Sequence, residues 1–148
     1  MEQIVLPNSI MLAGVSEMLS EGHPVVISTK GGSMMPFIRG GKDSVELVRC
    51  DEYKPYDIVL AEVLKGHYVL HRVFSIDGDK VVLKGDGNLV GTEECRLENI
   101  SGKAIHIIRP DGKKKGCTTA CFLFRSRIWR KMPYFCRRVF LHFYRKTI

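Results

Sequence analysis

Tyr68-Val69-Leu70-His71-Arg72-Val73-Phe74-Ser75-Ile76, then Asp77-Gly78-Asp79, then Lys80-Val81-Val82-Leu83-Lys84, reads as two β-strands joined by a turn. Both runs are rich in β-branched and aromatic residues, which suit a pleated, half-buried surface. Asp-Gly between such runs is hairpin chemistry. The same pattern continues outward on both sides. Gly85-Asp86-Gly87-Asn88 is a second turn cluster after the hairpin, and Gly102 to Arg109 reads as a later strand. Before the hairpin lie the apolar run Ile58 to Val63, the alternating segment Ser44 to Arg49 and the short run Val25 to Ser28. Many short strands punctuated by Gly and Asp predict a mainly β fold, a barrel or a folded sheet.

At 148 residues the chain is expected to form one domain with appendages. Ile4-Val5-Leu6 is a short apolar run that Pro7 ends. Asn8 or Ser9 then caps a helix running to about Glu21, with Met11, Leu12, Val15, Met18 and Leu19 at helical spacing. Charge is unevenly distributed. Before residue 113 there are twelve Lys+Arg against sixteen Asp+Glu; from 113 onward there are eleven against none. The net charge of +7 therefore describes neither part. Pro110-Asp111-Gly112 followed by Lys113-Lys114-Lys115 reads as the end of the β-rich part. The expected organisation is an N-terminal helical segment (1–24), a β-rich domain (25–112) and a basic aromatic tail (113–148).

Five cysteines (Cys50, Cys95, Cys117, Cys121 and Cys136) are odd in number and irregularly spaced, which fits free thiols in a reducing compartment. Cys117 and Cys121 have no second Cys/His pair near them, so no metal site is expected. No basic-then-apolar leader and no run of about 20 apolar residues is present. The expectation is a cytoplasmic protein, soluble or peripheral to a membrane.

Gly31-Gly32-Ser33-Met34-Met35-Pro36 stands out from its surroundings. Two glycines permit close backbone approach, and Pro36 fixes its own φ and turns Met35 away from the α region. The arrangement presents one hydroxyl in a fixed place, although Gly-Gly-Ser is also common in plain loops. A serine needs a base to act as a nucleophile near neutral pH. His71, inside the first strand of the hairpin, has the right kind of pKa and a firm platform.

Three blocks in order resemble the superfamily of signal peptidases and LexA-type self-cleaving proteins. They are Gly31-Gly32-Ser33-Met34-Met35-Pro36, Tyr56-Asp57-Ile58-Val59, and His71-Arg72-Val73 with Lys84-Gly85-Asp86-Gly87-Asn88. The histidine followed by Arg-Val is similar to the endoplasmic-reticulum and archaeal form, in which histidine replaces the commoner lysine base. The resemblance spans roughly residues 25–108. It implies a folded β-barrel and a serine endopeptidase with no metal or cofactor. It further implies Ser33 as nucleophile, His71 as general base, and the Ser33 amide in the oxyanion hole. Some relatives carry a hydroxyl two residues before the serine, where this chain has Gly31. A second oxyanion donor is then a backbone group, Thr29 or Ser28. The acid expected a few residues after the last block is displaced to Glu93 and Glu94, so Asp86, which matches the block, is taken as the orienting acid. Gly31, Gly32, Met34 and Phe37 are assigned to substrate binding, beside a pocket for a small residue ahead of the cut. The substrate is expected to be a peptide or leader segment, lying as an added strand.

The tail alternates aromatic or aliphatic residues with Arg and Lys, and Pro133 divides it into two segments of helical length. An acid-free, basic, aromatic segment suits an anionic membrane surface first, a protein partner second and nucleic acid third. Two alternatives stand beside the peptidase. One is self-processing near Ala13-Gly14; the other is a non-catalytic β module that binds through its tail.

Overall fold

A computed structural model describes residues 8–148, so the Ile4–Leu6 run lies outside the described residues. The chain opens with α1 (Asn8–Ser20) and continues through β1 (Val25–Ser28), β2 (Ser44–Val48), β3 (Ile58–Leu64), β4 (His67–Asp77) and β5 (Lys80–Lys84). Then follow β6 (Glu93–Arg96), a 3₁₀ turn (Leu97–Asn99), β7 (Ile100–Ile108), β8 (Lys114–Gly116), α2 (Ala120–Lys131) and α3 (Tyr134–Thr147). Every ladder is antiparallel. The strand order is β1-β2-β7-β3-β4-β5-β6, with β8 added on β7.

The expected hairpin is present, with Asp77 opposite Lys80 and Gly78 at φ 60°. Positive φ is what a two-residue turn between twisted strands demands, and glycine adopts it without a Cβ penalty. The mainly β expectation holds, and the sheet is open: no ladder joins β1 to β6. Pro110-Asp111-Gly112 does not end the β part. It is a hairpin turn, and Lys114–Gly116 pair back onto β7.

β3 explains how one sheet encloses two cores. Ile58, Val59, Leu60 and Ala61 are all buried. Successive strand residues face opposite sides. Ile58 and Leu60 pack with Leu19, Val45, Leu47, Ile107 and Phe122, while Val59 and Ala61 pack with Val73, Val81, Leu83 and Ile100. A continuous apolar run is the signature of a strand covered on both faces. Each large aliphatic side chain so buried contributes roughly 1.5–3 kcal/mol. α1 closes one end of the first core with Val15 and Leu19, and Ser101 Oγ donates to Ser16 Oγ at 2.8 Å.

The tail is not an appendage lying free of the body. Thr119 caps α2 by accepting from the Phe122 amide at 3.2 Å. Phe122, Ser126 and Trp129, at helical spacing, are the buried stripe of α2. Leu141 of α3 joins Met35 and Trp129 in a third small core. Among the described residues, no helix is long and apolar enough to cross a membrane.

Candidate active site

The serine loop leaves β1 and returns to β2 through a clamp at its base. The Thr29 amide donates to the Asp43 carbonyl at 3.1 Å, and the Gly41 amide to the Thr29 carbonyl at 2.8 Å. The Asp43 carboxylate accepts from the Arg39 amide (2.7 Å), from the Arg39 guanidinium, and from Arg109 Nη1. Burial alone would raise this carboxyl. The Arg39 hydrogen bonds and the Arg109 and Arg39 charges outweigh burial and hold it below its ordinary value. Inside the loop the Phe37 and Ile38 amides both donate to the Met34 carbonyl, a tight turn that lifts Ser33 at its leading edge.

The three sequence blocks meet around this loop. The Gly87 amide donates to the Ser33 carbonyl at 2.9 Å. A β-carbon at Gly85 would stand 2.4 Å from the Ser33 carbonyl oxygen and 3.2 Å from His71 Cδ2; one at Gly87 would stand 2.2 Å from the Gly32 carbonyl oxygen. Both contacts exclude any side chain, so the glycines of the Lys84–Asn88 turn are required by the approach of the serine loop. The second block holds the far end of β4. Tyr56, at φ 77°, turns the chain so that its amide donates to Val73 O (2.9 Å), and Asp57 O accepts from the Val73 amide (2.7 Å).

Ser33 and His71 line one cleft of about 240 Å³. Its other walls include Ile27–Gly31 beside the loop, Met34, Ile38 and Leu60, the β4 segment His67–Leu70, and Met11 and Leu12 of α1. The Ser33 hydroxyl and the His71 ring are not hydrogen-bonded to each other. His71 is buried, and its Nδ1 lies 2.9 Å from Glu93 Oε2. A carboxylate only accepts, so Nδ1 carries the proton, and in the neutral ring Nε2 is the nitrogen left with a lone pair. The Ser33 amide donates to no group among the described residues and is free for an oxyanion. Thr29 is not, because its hydroxyl donates to Asp43 O at 2.7 Å. Ser28, exposed beside the cleft, has no such commitment.

Three expectations are corrected by the geometry. The acid beside His71 is Glu93, not Asp86. Asp86 is held by Arg72, with Nε at 2.9 Å from Oδ1 and Nη2 at 2.6 Å from Oδ2, on the opposite side of β4. Phe37 does not line the cleft. Its ring packs edge-on against Phe122 (5.5 Å between centroids) and Trp129 (6.5 Å), with Arg72 Cζ 5.0 Å above it. Gly32 faces the tail as well, since the position of its missing β-carbon is 3.7 Å from Arg145 Nη2. Gly31 and Met34 do line the cleft.

The sequence also left the tail's part unread. Trp129 Nε1 donates to the Asp86 carbonyl at 2.9 Å, and Arg72 Nη1 donates to Ser126 Oγ at 2.9 Å. α2 thus backs the turn that seats Ser33. The spacing of Phe122, Ser126 and Trp129 was the available signal. Among the described residues no cluster of His, Cys, Asp and Glu has metal-binding geometry. No protein-family model matches the chain, and no curated protein matches it either.

Proposed function

We propose that this chain is a serine endopeptidase in which Ser33 is the nucleophile, His71 the general base and Glu93 the acid that orients it. The observation carrying this reading is the shared cleft: a serine and a buried histidine face it, and the histidine's far nitrogen is taken by a carboxylate. Nε2 takes the Ser33 proton as Oγ attacks the scissile carbonyl carbon. The oxyanion that forms is met by the Ser33 amide. Nε2 then gives the proton to the leaving amine, and the C–N bond breaks. Water, deprotonated by the same nitrogen, attacks the acyl ester and releases Ser33. The Glu93 carboxylate stabilises the imidazolium formed in each half-reaction.

Two free strand edges support an extended substrate. Among the described residues β1 pairs only with β2, and β5 covers β4 only from Arg72 onward, so that no strand pairs with the edge of residues 68–70 on that side. Both border the cleft, so a peptide backbone can hydrogen-bond to either as an added strand. Ile27, Met34, Ile38 and Leu60 give the cleft apolar walls, and its volume of about 240 Å³ suits a small residue before the cut. The substrates inferred are peptides or leader segments. The folded-barrel scaffold of signal peptidases and LexA-type proteins belongs to the same reading. So does a cytoplasmic location beside an anionic membrane, for which the exposed Phe135, Val139 and Phe143 of the basic helix α3 speak. Self-processing gains no support, because Ala13 and Gly14 are exposed within α1 and a helical bond must unwind before attack.

The test is mass spectrometry of a diverse peptide mixture incubated with wild type, Ser33→Ala and His71→Ala, following the protein's own mass in the same tubes. New peptide ends made by wild type alone are expected. Equal cleavage by Ser33→Ala, or none by wild type on any peptide, would overturn the reading and favour a non-catalytic module.

A further inference from the structure

A second cavity, of about 280 Å³, lies across the Lys84–Asn88 turn from the cleft, between β4, β5 and the two tail helices. Arg72, Lys84, Arg130 and Arg137 line it, with Asp86 as the one carboxylate. Arg72 and Asp86 satisfy each other, and the remaining Arg72 donors go to Tyr56 O and Ser126 Oγ. Lys84, Arg130 and Arg137 have no carboxylate within ion-pair distance among the described residues. The Arg130 guanidinium rests 3.7 Å from the centroid of the Phe74 ring and 5.2 Å from that of Tyr56, which positions the charge without neutralising it. Arg137 Nε is out of contact with water and donates to nothing.

A cation with a buried, unused donor is costly, and Arg137 shares its cavity with Lys84 and Arg130, so that charges gathered from β5, α2 and α3 repel one another. Burial, and then the Arg137 and Arg130 charges, lower the Lys84 pKa from its ordinary value. Among the described residues no carboxylate pairs with these three cations, yet the aromatic seat of Arg130 and the packing of Trp129 hold them in place. An arrangement of this kind is complete when an anion occupies it. A planar carboxylate brings one charge, whereas a phosphate brings up to two and presents its oxygens in several directions to donors from three elements.

We propose that the cavity walled by Lys84, Arg130 and Arg137 is a binding site for a phosphate group, which locks the tail helices onto the β body. Free inorganic phosphate and the phosphodiester of an anionic phospholipid headgroup are the two sources; both present non-bridging phosphate oxygens to these donors, the diester with one charge and the free ion with up to two. This proposal does not depend on the peptidase reading.

The test titrates the full chain with inorganic phosphate by calorimetry, at constant ionic strength balanced with chloride. In parallel it measures binding to vesicles of phosphatidylcholine, with and without phosphatidylglycerol. The variants are Arg137→Gln, Lys84→Met and Arg138→Gln, the last on α3 but outside the cavity, each checked for folding by circular dichroism. One saturable phosphate site, weakened by about tenfold or more in Arg137→Gln and Lys84→Met and unchanged in Arg138→Gln, is expected. If phosphate fails but phosphatidylglycerol vesicles bind with that same pattern of loss, the source is a lipid headgroup and the proposal stands. Absence of both kinds of binding overturns it. Vesicle binding that Arg138→Gln weakens as much as Arg137→Gln overturns it too, since the charge then acts diffusely. Should Arg137→Gln not fold, Lys84→Met carries the same expectations alone.

Discussion

Replacing Gly85 by alanine inserts one methyl group between the two halves of the candidate site. That carbon would lie 2.4 Å from the Ser33 carbonyl oxygen, 3.1 Å from Asn88 Nδ2 and 3.2 Å from His71 Cδ2. Ordinary contact begins at 3.4 Å, so the Ser33 backbone must retreat by about 1 Å. It cannot swing aside as a side chain would, because Gly87 holds the same carbonyl at 2.9 Å and the Asp43 clamp fixes the loop base. Overpacking of this kind costs about 1–3 kcal/mol. For a chain of this size that is a fall in Tm of roughly 2–12 °C. A nucleophile displaced by 1 Å from its base loses about 10²-fold in kcat/KM. The assay pairs kcat/KM on a cleaved peptide with the rate at which a fluorophosphonate acylates Ser33, and with Tm. Gly14→Ala is the control: nothing lies within 4 Å of its added carbon, and a helical alanine gains about 0.5–1 kcal/mol without touching the rate. A Gly85→Ala protein with lowered Tm but undiminished acylation would refute the idea that this turn sets the geometry of Ser33 and His71. Unchanged Tm and unchanged rate would refute the close approach itself.

The two acids separate by assay. Glu93→Gln is expected to lower kcat by roughly 10²–10⁴-fold with little change in Tm, whereas Asp86→Asn leaves the buried Arg72 charge unpaired and costs about 3–5 kcal/mol, read by denaturant unfolding. Asp43 is held below its ordinary pKa in the folded chain, so its contribution is present above the unfolded value and is lost as pH falls through the folded one. Asp43→Asn should therefore melt below wild type at neutral pH, by about 1.5–3 kcal/mol, and the gap should close as the pH drops below 3.8; a gap constant with pH contradicts the clamp. Trp129→Ala removes both its packing and its bond to Asp86 O, for a loss of about 3–5 kcal/mol in denaturant melts. Burial pushes the Cys95 thiol up to about 11 and the Cys117 thiol up to about 12, while Cys121 and Cys136 are exposed. Alkylation of native protein followed by mass mapping should reach Cys121 and Cys136 first, and early modification of Cys117 would contradict its burial beneath the start of α2.

How far the sequence could be read follows from where the information resides. The β4–β5 hairpin was legible because its turn chemistry and apolar runs are both local, and β3 because four consecutive apolar residues need cover on two sides. β6 was missed because Glu93, Glu94 and Arg96 leave Cys95 as its one buried residue, so no alternation shows. β8 was missed because Lys114-Lys115-Gly116 pairs through its backbone and carries no apolar signal. That Ser33 and His71 share a cleft was legible through the blocks around them, yet the carboxylate beside His71 was not. Glu93 reaches His71 from the edge strand, across β5, at a separation of 22 residues that no local rule encodes. The helices of the tail were visible as two segments split by Pro133, and the stripe on α2 was visible in its spacing. What that stripe covers is a tertiary fact, and it turned out to be the serine loop's own Phe37 and the Asp86 turn.

The pair His71-Arg72 shows why the site and the tail form a single construction. Neighbouring residues of a strand face opposite sides of the sheet, so a side chain at 71 that lines the cleft obliges residue 72 to point away from it. Residue 72 is an arginine and is buried, which would be ruinous without partners. The partners come from two directions: Asp86 from the turn that seats Ser33, and Ser126 with the Phe37 and Phe122 rings from the loop and the tail. Fixing Arg72 therefore fixes the Lys84–Asn88 turn on one side of β4, and through it the carbonyl of Ser33 on the other. The second cavity opens on this same ion pair. A phosphate drawn in by Lys84, Arg130 and Arg137 tightens α2 and α3 against Asp86 without touching Ser33 or His71. Occupancy of the tail site is then coupled to the order of the serine loop through Trp129 and Arg72. Saturating phosphate should accordingly raise the acylation rate of Ser33 in wild type and leave it unchanged in Trp129→Phe, which keeps the ring but loses the donor to Asp86 O. An equal response in both would place the coupling outside this hydrogen bond.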